Sequence, residues 1–236
     1  MIEPTLVMVV CNEAHRLEAL LQHVRPHFDH IVIGVQESTD STREIVERYA
    51  DVLVDDKRHG FGDASFPLVQ RRVETDWAFR VDADEWPTDE LLEALPSVLE
   101  AASAHDGVWI PFRSWVEGVE WEVPHSHMRL WRNRLQWPPK LHSRPATKQE
   151  FQCRTGYILH TKTLDEHVRG YLDYLAVSGD NQSWIHHNLV MIAAACRGSA
   201  GAKGWDFVRS HEWWPVVAER VFHGEDPAIV EAPAEP

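Results

Sequence analysis

The sequence predicts an α/β fold, a mainly parallel sheet with helices on both faces, followed by a small antiparallel and helical part. Three observations predict it. Through the first 113 residues, short continuous apolar runs alternate with stretches of helical spacing. Polar clusters stand where the apolar runs end, at "CNE", "QESTDST" and "DADE". After Phe112 the alternation stops, and tryptophan-rich sequence with two-residue periodicity replaces it.

The elements follow in order. "TLVMVV" (Thr5 to Val10) is continuously apolar, the mark of a strand covered on both faces. "EAHRLEALLQHV" places Leu17, Leu20, Leu21 and Val24 at helical spacing. "HIVIGV" is the second strand. "STDSTREIVERYA" opens on capping residues and continues through Ile45, Val46 and Tyr49, the second helix. "DVLV" is a third strand, "ASFPLVQRRVE" a helix with proline near its start, and "WAFRVD" a fourth strand. "TDELLEALPSVLEAA" reads as a helix capped by Thr88, with Pro96 a point of break or restart, and "GVWIPF" as a fifth strand. "VEGVEWEV" and "HMRLWRNRLQW" read as antiparallel strands or a hairpin, and "GYILH" as a further strand. "TLDEHVRGYLDYLAV", "IHHNLVMIAAAC" and "WWPVVAERVF" read as helices. The tail "EDPAIVEAPAEP" reads as frayed.

Composition narrows the function. The 236 residues suffice for one well-cored domain, and 44% hydrophobic content excludes wholesale disorder. A net charge of −14 repels phosphate backbones and argues against nonspecific nucleic-acid binding. No apolar run is long enough for a bilayer span, and "MIEPTLVMVVCNE" reads as a first strand rather than a signal peptide. Cys11, Cys153 and Cys196 have no metal-binding spacing and read as reduced thiols of a cytoplasmic protein.

"RVDADEW" (Arg80 to Trp86) is the most informative stretch. If Asp82 and Asp84 lie on a strand, they point the same way. Two such carboxylates repel unless a cation neutralises them. Mg²⁺ or Mn²⁺ is the expected cation, with the rest of its shell from water and substrate phosphates. The plainer alternative is that Asp84 and Glu85 only open the next helix.

The stretch "VMVVCNEAHRLEALLQHVRPHFDHIVIGVQESTDSTREIVERYAD", followed by "TDWAFRVDADEW", resembles the family 2 glycosyltransferases of the GT-A (Rossmann-like) fold. The shared features are a strand ending in Asn-Glu, a second strand leading into a Ser/Thr-Asp turn, and an Asp-x-Asp motif at a strand end. The resemblance implies that Asn12 and Glu13 line a nucleotide pocket and that Ser38, Thr39 and Asp40 close over base or ribose. It implies that Asp82 contacts ribose or metal, that Asp84 holds a metal bridging the diphosphate, and that Glu85 orients donor or metal water. Arg71 or Arg72 stands where a basic residue approaches the donor. A histidine beyond the sheet commonly completes the metal site, and His160 or His142 is the candidate. One departure concerns the aspartate that usually ends the second strand. Val35 occupies the matching place, with Gln36 or Glu37 as substitutes. On this reading residues 1–113 form the nucleotide-sugar-binding half, 114–224 the acceptor-side half of the same domain, and 225–236 a flexible tail.

An inverting transferase needs a carboxylate to deprotonate the acceptor hydroxyl. Glu117, Glu120, Glu122 and Asp165 are the candidates, with Glu120 and Asp165 preferred. His125 and His127 read as surface or acceptor-side groups. Arg129, Arg132 and Arg134 read either as a solvated face or as groups that neutralise a leaving diphosphate. Trp109, Trp115, Trp121, Trp131 and Trp137 divide between core and sugar stacking. The implied activity is metal-dependent transfer of a sugar from a nucleoside diphosphate sugar, a UDP-sugar, to a hydroxyl on a glycan, a protein or a modified nucleobase. The alternatives are an inactive GT-A-like carbohydrate- or nucleotide-binding module and a nucleotidyltransferase. Absence of glycine from "CNEAHR" counts against the latter. Oligomeric state is open.

Overall fold

The computed structural model describes residues 3–116, 119–120, 125–141, 143–178, 210, 212 and 214–222. The expected helix around "IHHNLVMIAAAC", the tail, and residues Glu117, Trp121, Glu122, His142 and Cys196 lie outside the described residues.

By their internal contacts the residues form two compact units, one of residues 1–113 and 123–161 and one of 114–122 and 162–236. The first unit begins with the expected alternation. Strand β1 (Thr5–Val10) leads to helix α1 (Ala14–Val24), β2 (Ile31–Gln36) to α2 (Thr42–Tyr49), and β3 (Val52–Asp56) to the short α3 (Phe66–Gln70). Then come β4 (Trp77–Arg80), β5 (Glu85–Pro87), α4 (Asp89–Ala101) and β6 (Gly107–Val116). Later come β7 (Val119–Glu120), β8 (His125–Arg132), β9 (Glu150–Gln152), β10 (Ile158–Lys162), α5 (Leu164–Ser178) and α6 (Trp214–Phe222). Among the described residues no helix is long and apolar enough to cross a membrane.

The sheet runs β3-β2-β1-β4-β8-β6-β10-β5. Its first four strands are parallel, and antiparallel pairing starts where β8 docks on β4. "GVWIPF" therefore does not extend the parallel series: β6 lies antiparallel to β8. Side-chain alternation sorts the core into two layers. Leu6, Met8 and Val10 of β1 join Leu17, Leu20, Leu21 and Val24 of α1 and Leu91, Leu92 and Leu95 of α4 on one face. Val7 and Val32 meet Phe66 and Val69 of α3, with Trp131 and Trp137, on the other. Each α1 leucine so buried contributes roughly 1.5–3 kcal/mol relative to exposure. Gly34 of β2 permits the close approach of α3. A Cβ there would stand 2.7 Å from Val69 Cγ2.

Three local expectations differ from the structure. Helix α3 stops at Gln70, where the backbone tightens into i→i−3 bonds (Arg72 N–H to the Val69 carbonyl, 2.9 Å; Val73 N–H to the Gln70 carbonyl, 3.1 Å) and the Gln70 side-chain amide is held by the Asn133 and Leu135 carbonyls (2.9 and 2.6 Å) and by the Trp137 N–H (2.8 Å). Helix α4 runs through Pro96 without restarting, anchored by its Thr88 cap and five buried apolar side chains. The acidic run is a turn and not a strand, closed by the Glu85 N–H on the Asp82 carbonyl at 3.0 Å, so strand alternation does not govern Asp82 and Asp84. The second unit contains the β6 end paired with β7 (Trp115 opposite Glu120) and helices α5 and α6.

Candidate functional site

The carboxyl ends of β1, β2 and β4 carry the three expected polar clusters. The first two are sewn to each other. Asn12 adopts φ 57°, a left-handed conformation that asparagine tolerates better than most residues. From it three successive backbone N–H groups reach the loop after β2. Asn12 donates to Ser38 Oγ (3.1 Å), Glu13 to Thr42 Oγ1 (2.8 Å) and Ala14 to Asp40 Oδ2 (3.1 Å). Asn12 Oδ1 in turn accepts from the Thr39 N–H at 2.7 Å. Asp40 also accepts from the Thr42 N–H (3.0 Å) and hydroxyl (2.6 Å), so one carboxylate serves the starts of both α1 and α2. Burial pushes the Asp40 carboxyl up, but the bonds from Thr42 and Ala14 outweigh it and hold it below the ordinary range. Glu13 pairs with Arg16 at 3.3 Å.

At the end of β2, Val35 is buried in the core. Gln36 is also buried, its amide donating to the Phe61 carbonyl and to Ser65 Oγ, both at 2.9 Å. Glu37 is exposed, and its backbone N–H bonds the Asp56 carbonyl.

The third cluster is electrostatic. Asp82 accepts from Arg80 at both oxygens (2.8 and 3.0 Å), and Arg129 of β8 stands 3.3 Å from Asp82 Oδ2. Arg129 also forms a short pair with Glu85 and lies over the Phe112 ring. Antiparallel pairing of β5 with β10 sets His160 opposite Glu85, which brings His160 Nε2 to 3.3 Å from Asp84 Oδ2. Glu85 is 3% exposed, and its Oε2 accepts from the Asp82 N–H at 2.9 Å. Burial pushes its carboxyl up to about 7, reinforced by Asp82 and Asp84 against the opposing pull of Arg129. Burial also works to raise the Asp82 carboxyl, but Arg80 and then Arg129 hold it low.

Asp82, Asp84, Glu85 and His160 thus come together as expected of one cluster. Among the described residues, however, no three His, Cys, Asp or Glu side chains are gathered in metal-holding geometry. The Asp84–His160 pair is the part that fits a hard divalent ion, which takes few protein ligands and completes its shell with water and phosphate oxygens. Asp82 fits less well, because arginines occupy both its oxygens.

The model of glycosyl transferase family 2 matches residues 5–164, more than half of the chain. The chain belongs to glycosyl transferase family 2. Solved structures agree on the fold. S. aureus TarS 1–349 in complex with UDP-GlcNAc superposes with a TM-score of 0.55 at 12% identity, covering 93% of this chain and 81% of that one. The complex of TarS 1–349 with UDP gives 0.54 at 13% identity, covering 92% and 78%. A further structure of TarS gives 0.54 at 14% identity, covering 80% of this chain, which spans only 40% of that longer one. At these identities the likeness shows the GT-A fold alone. No curated protein matches the chain.

Within this family 2 chain, the remaining expected residues divide. Arg71 and Arg72 are exposed beyond α3, and the cations on the acid cluster are Arg80 and Arg129 instead. Arg132 turns away to the Ser103 and His105 carbonyls and the Trp77 ring, and Arg134 pairs with Asp106. His125 and His127 pack ring to ring on β8 with centroids 4.6 Å apart. Trp131 and Trp137 are core, while Trp109 is half-buried and bonds Glu150. Cys11 and Cys153 are free thiols. Glu120 lies exposed on β7 and Asp165 in the first turn of α5, both in the second unit. Sequence reasoning missed Arg80, although it stands two residues before Asp82. It also missed Asp63, which no local pattern marked.

Proposed function

We propose that the protein transfers a sugar from a nucleoside diphosphate sugar, a UDP-sugar, to an acceptor hydroxyl, with Mn²⁺ or Mg²⁺ at Asp84 and His160. Family membership supports the reaction class. The single observation that carries the site is the gathering of Asp82, Asp84, Glu85 and His160 beside Arg80 and Arg129. The TarS 1–349 complexes hold UDP and UDP-GlcNAc, which favours uridine as the base.

Charge supports a cation. Asp82, Asp84 and Glu85 crowd three carboxyl groups around the Arg80 and Arg129 guanidiniums, with His160 beside Asp84. A divalent ion there would offset the carboxylates and would supply Lewis-acid stabilisation of the departing diphosphate. The protein's own residues do the rest. Asp84 and His160 hold the ion. Asp82, fixed by its arginines, accepts from the ribose, and Glu85 keeps the Asp82 N–H and Arg129 in place. Asn12, Glu13, Ser38 and Asp40 shape the nucleotide side through the seam that joins their loops, with Arg71 at its margin. Gln36 is committed to Phe61 and Ser65, so recognition of the base falls to neighbouring groups. The general base is assigned to Glu120 or Asp165, in an inverting reaction. Substitutions Glu120→Gln and Asp165→Asn distinguish the two, since loss of the base lowers kcat while leaving UDP affinity unchanged.

The test is calorimetric titration with UDP, GDP, CDP and dTDP, each in Mn²⁺ and in EDTA. The expected result is binding of UDP that EDTA abolishes, followed by EDTA-sensitive turnover of a UDP-sugar. Absence of binding by every nucleotide in both conditions removes the donor-site reading.

A further inference from the structure

Arg80 is held on every side. Its Nε and Nη2 donate to the two oxygens of Asp82 at 2.8 and 3.0 Å, a two-point fork. Its Nη1 donates to Asp63 Oδ1 at 2.6 Å, and that same oxygen accepts from Trp137 Nε1 at 3.1 Å. The guanidinium carbon stands 4.3 Å from the centre of the Phe66 ring and 4.9 Å from that of Trp137. The Arg80 side chain is 11% exposed and that of Asp82 26%, so the carboxylate meets solvent while its counter-ion lies beneath. Nothing in this arrangement is needed to close the sheet, since β4 pairs with β1 and β8 through its backbone.

We infer that Arg80 is a positioning residue of the donor site, which fixes the plane of the Asp82 carboxylate and offsets its charge so that Asp82 reads the ribose hydroxyls and leaves the metal to Asp84 and His160. This rests on the donor-site reading above. A carboxylate whose oxygens each accept from a guanidinium is a weak ligand for a hard cation. It keeps lone pairs to accept from neutral hydroxyls, and its geometry is then decided by the fork. Asp63, Phe66 and Trp137 are the brace that stops the fork from turning.

The experiment compares two nucleotides on the full chain: UDP, and the 2′,3′-dideoxy analogue that lacks both ribose hydroxyls, each titrated calorimetrically with Mn²⁺. The wild type is expected to prefer UDP by about tenfold or more, the scale of a lost charge-assisted hydrogen bond. Arg80→Lys keeps the charge and loses the fork. It is expected to bring the ratio towards one by weakening UDP alone, with Mn²⁺ affinity unchanged. A purely structural role weakens both nucleotides together and preserves the ratio, and that result overturns the inference. Circular dichroism and thermal melting report folding. Should Arg80→Lys not fold, Asp63→Asn removes the brace while leaving Arg80 and Asp82, and the ratio is read in the same way. A wild-type ratio of one overturns the role of Arg80 while the donor site stands. Binding of neither nucleotide by the wild type overturns the donor site and this role together.

Discussion

The seam that joins the loops after β1 and β2 and the acidic turn after β4 sit at neighbouring strand ends and are built on opposite physical plans. In the seam, Asn12, Glu13 and Ala14 donate backbone N–H groups to the side chains of Ser38, Thr42 and Asp40, and the groups are neutral apart from Asp40. In the acidic turn, four carboxylates face two guanidiniums, and contacts arrive from residues 47 and 76 positions away. The seam gives shape mainly through neutral hydrogen bonds, with the single carboxylate of Asp40 at its centre. The turn is held by charge, between carboxylates and guanidiniums that come from distant parts of the chain.

The comparison is sharpened most by Asp84→Ala. Metal-dependent UDP binding is expected to vanish while the melting temperature holds, because the side chain is at a partly solvated turn. Titration at wild-type affinity would sink the assignment. Next is Arg129→Met. It strips a buried cation from Asp82 and Glu85 and should cost about 3–5 kcal/mol in denaturant unfolding, part of which returns when Glu85→Leu is added. A cost under 1 kcal/mol would mean that the pair is solvated.

In the seam the effects are smaller and carry a different signature. Asp40→Ala removes the acceptor shared by α1 and α2 and should cost roughly 1–2 kcal/mol. The folded Asp40 carboxyl lies below the ordinary aspartate value of 3.8, so its contribution is complete above that pH and is lost as pH falls through the lowered folded value. The stability gap between wild type and Asp40→Ala should therefore be full at neutral pH and close in acid. A gap constant down to pH 2 contradicts this account. Ser38→Ala, which removes a neutral acceptor, should cost about 1 kcal/mol and show no dependence on pH or salt.

How far the sequence foretold this molecule depends on the range of the interaction. Strands β1, β2 and β3 and helices α1 and α2 were legible because periodicity is a local signal, as with Leu17, Leu20, Leu21 and Val24. Helix α3 was expected to be longer, since nothing local reveals that Gln70 is held by carbonyls at 133 and 135. The acids Asp82, Asp84 and Glu85 were legible as a cluster, but their geometry was not. Arg80 and Arg129 do part of the neutralising that carboxylate repulsion alone assigns to an external cation. His160 entered through family resemblance, and the strand pairing that places it is a tertiary fact.

The order in which the chain is made gives the Arg80 fork another meaning. Synthesis delivers the acids of residues 82–85 well before Arg129 and His160. A domain growing from its N-terminus can close β1, β2, β3 and β4 while those later partners are still unmade. Loop closure across such separations is slow compared with closure between near neighbours. Arg80 precedes Asp82 by two residues and follows Asp63 by 17, so this counter-ion is made together with the acids it holds. The Arg80 fork therefore needs no residue of β8 or β10, both of which are made later.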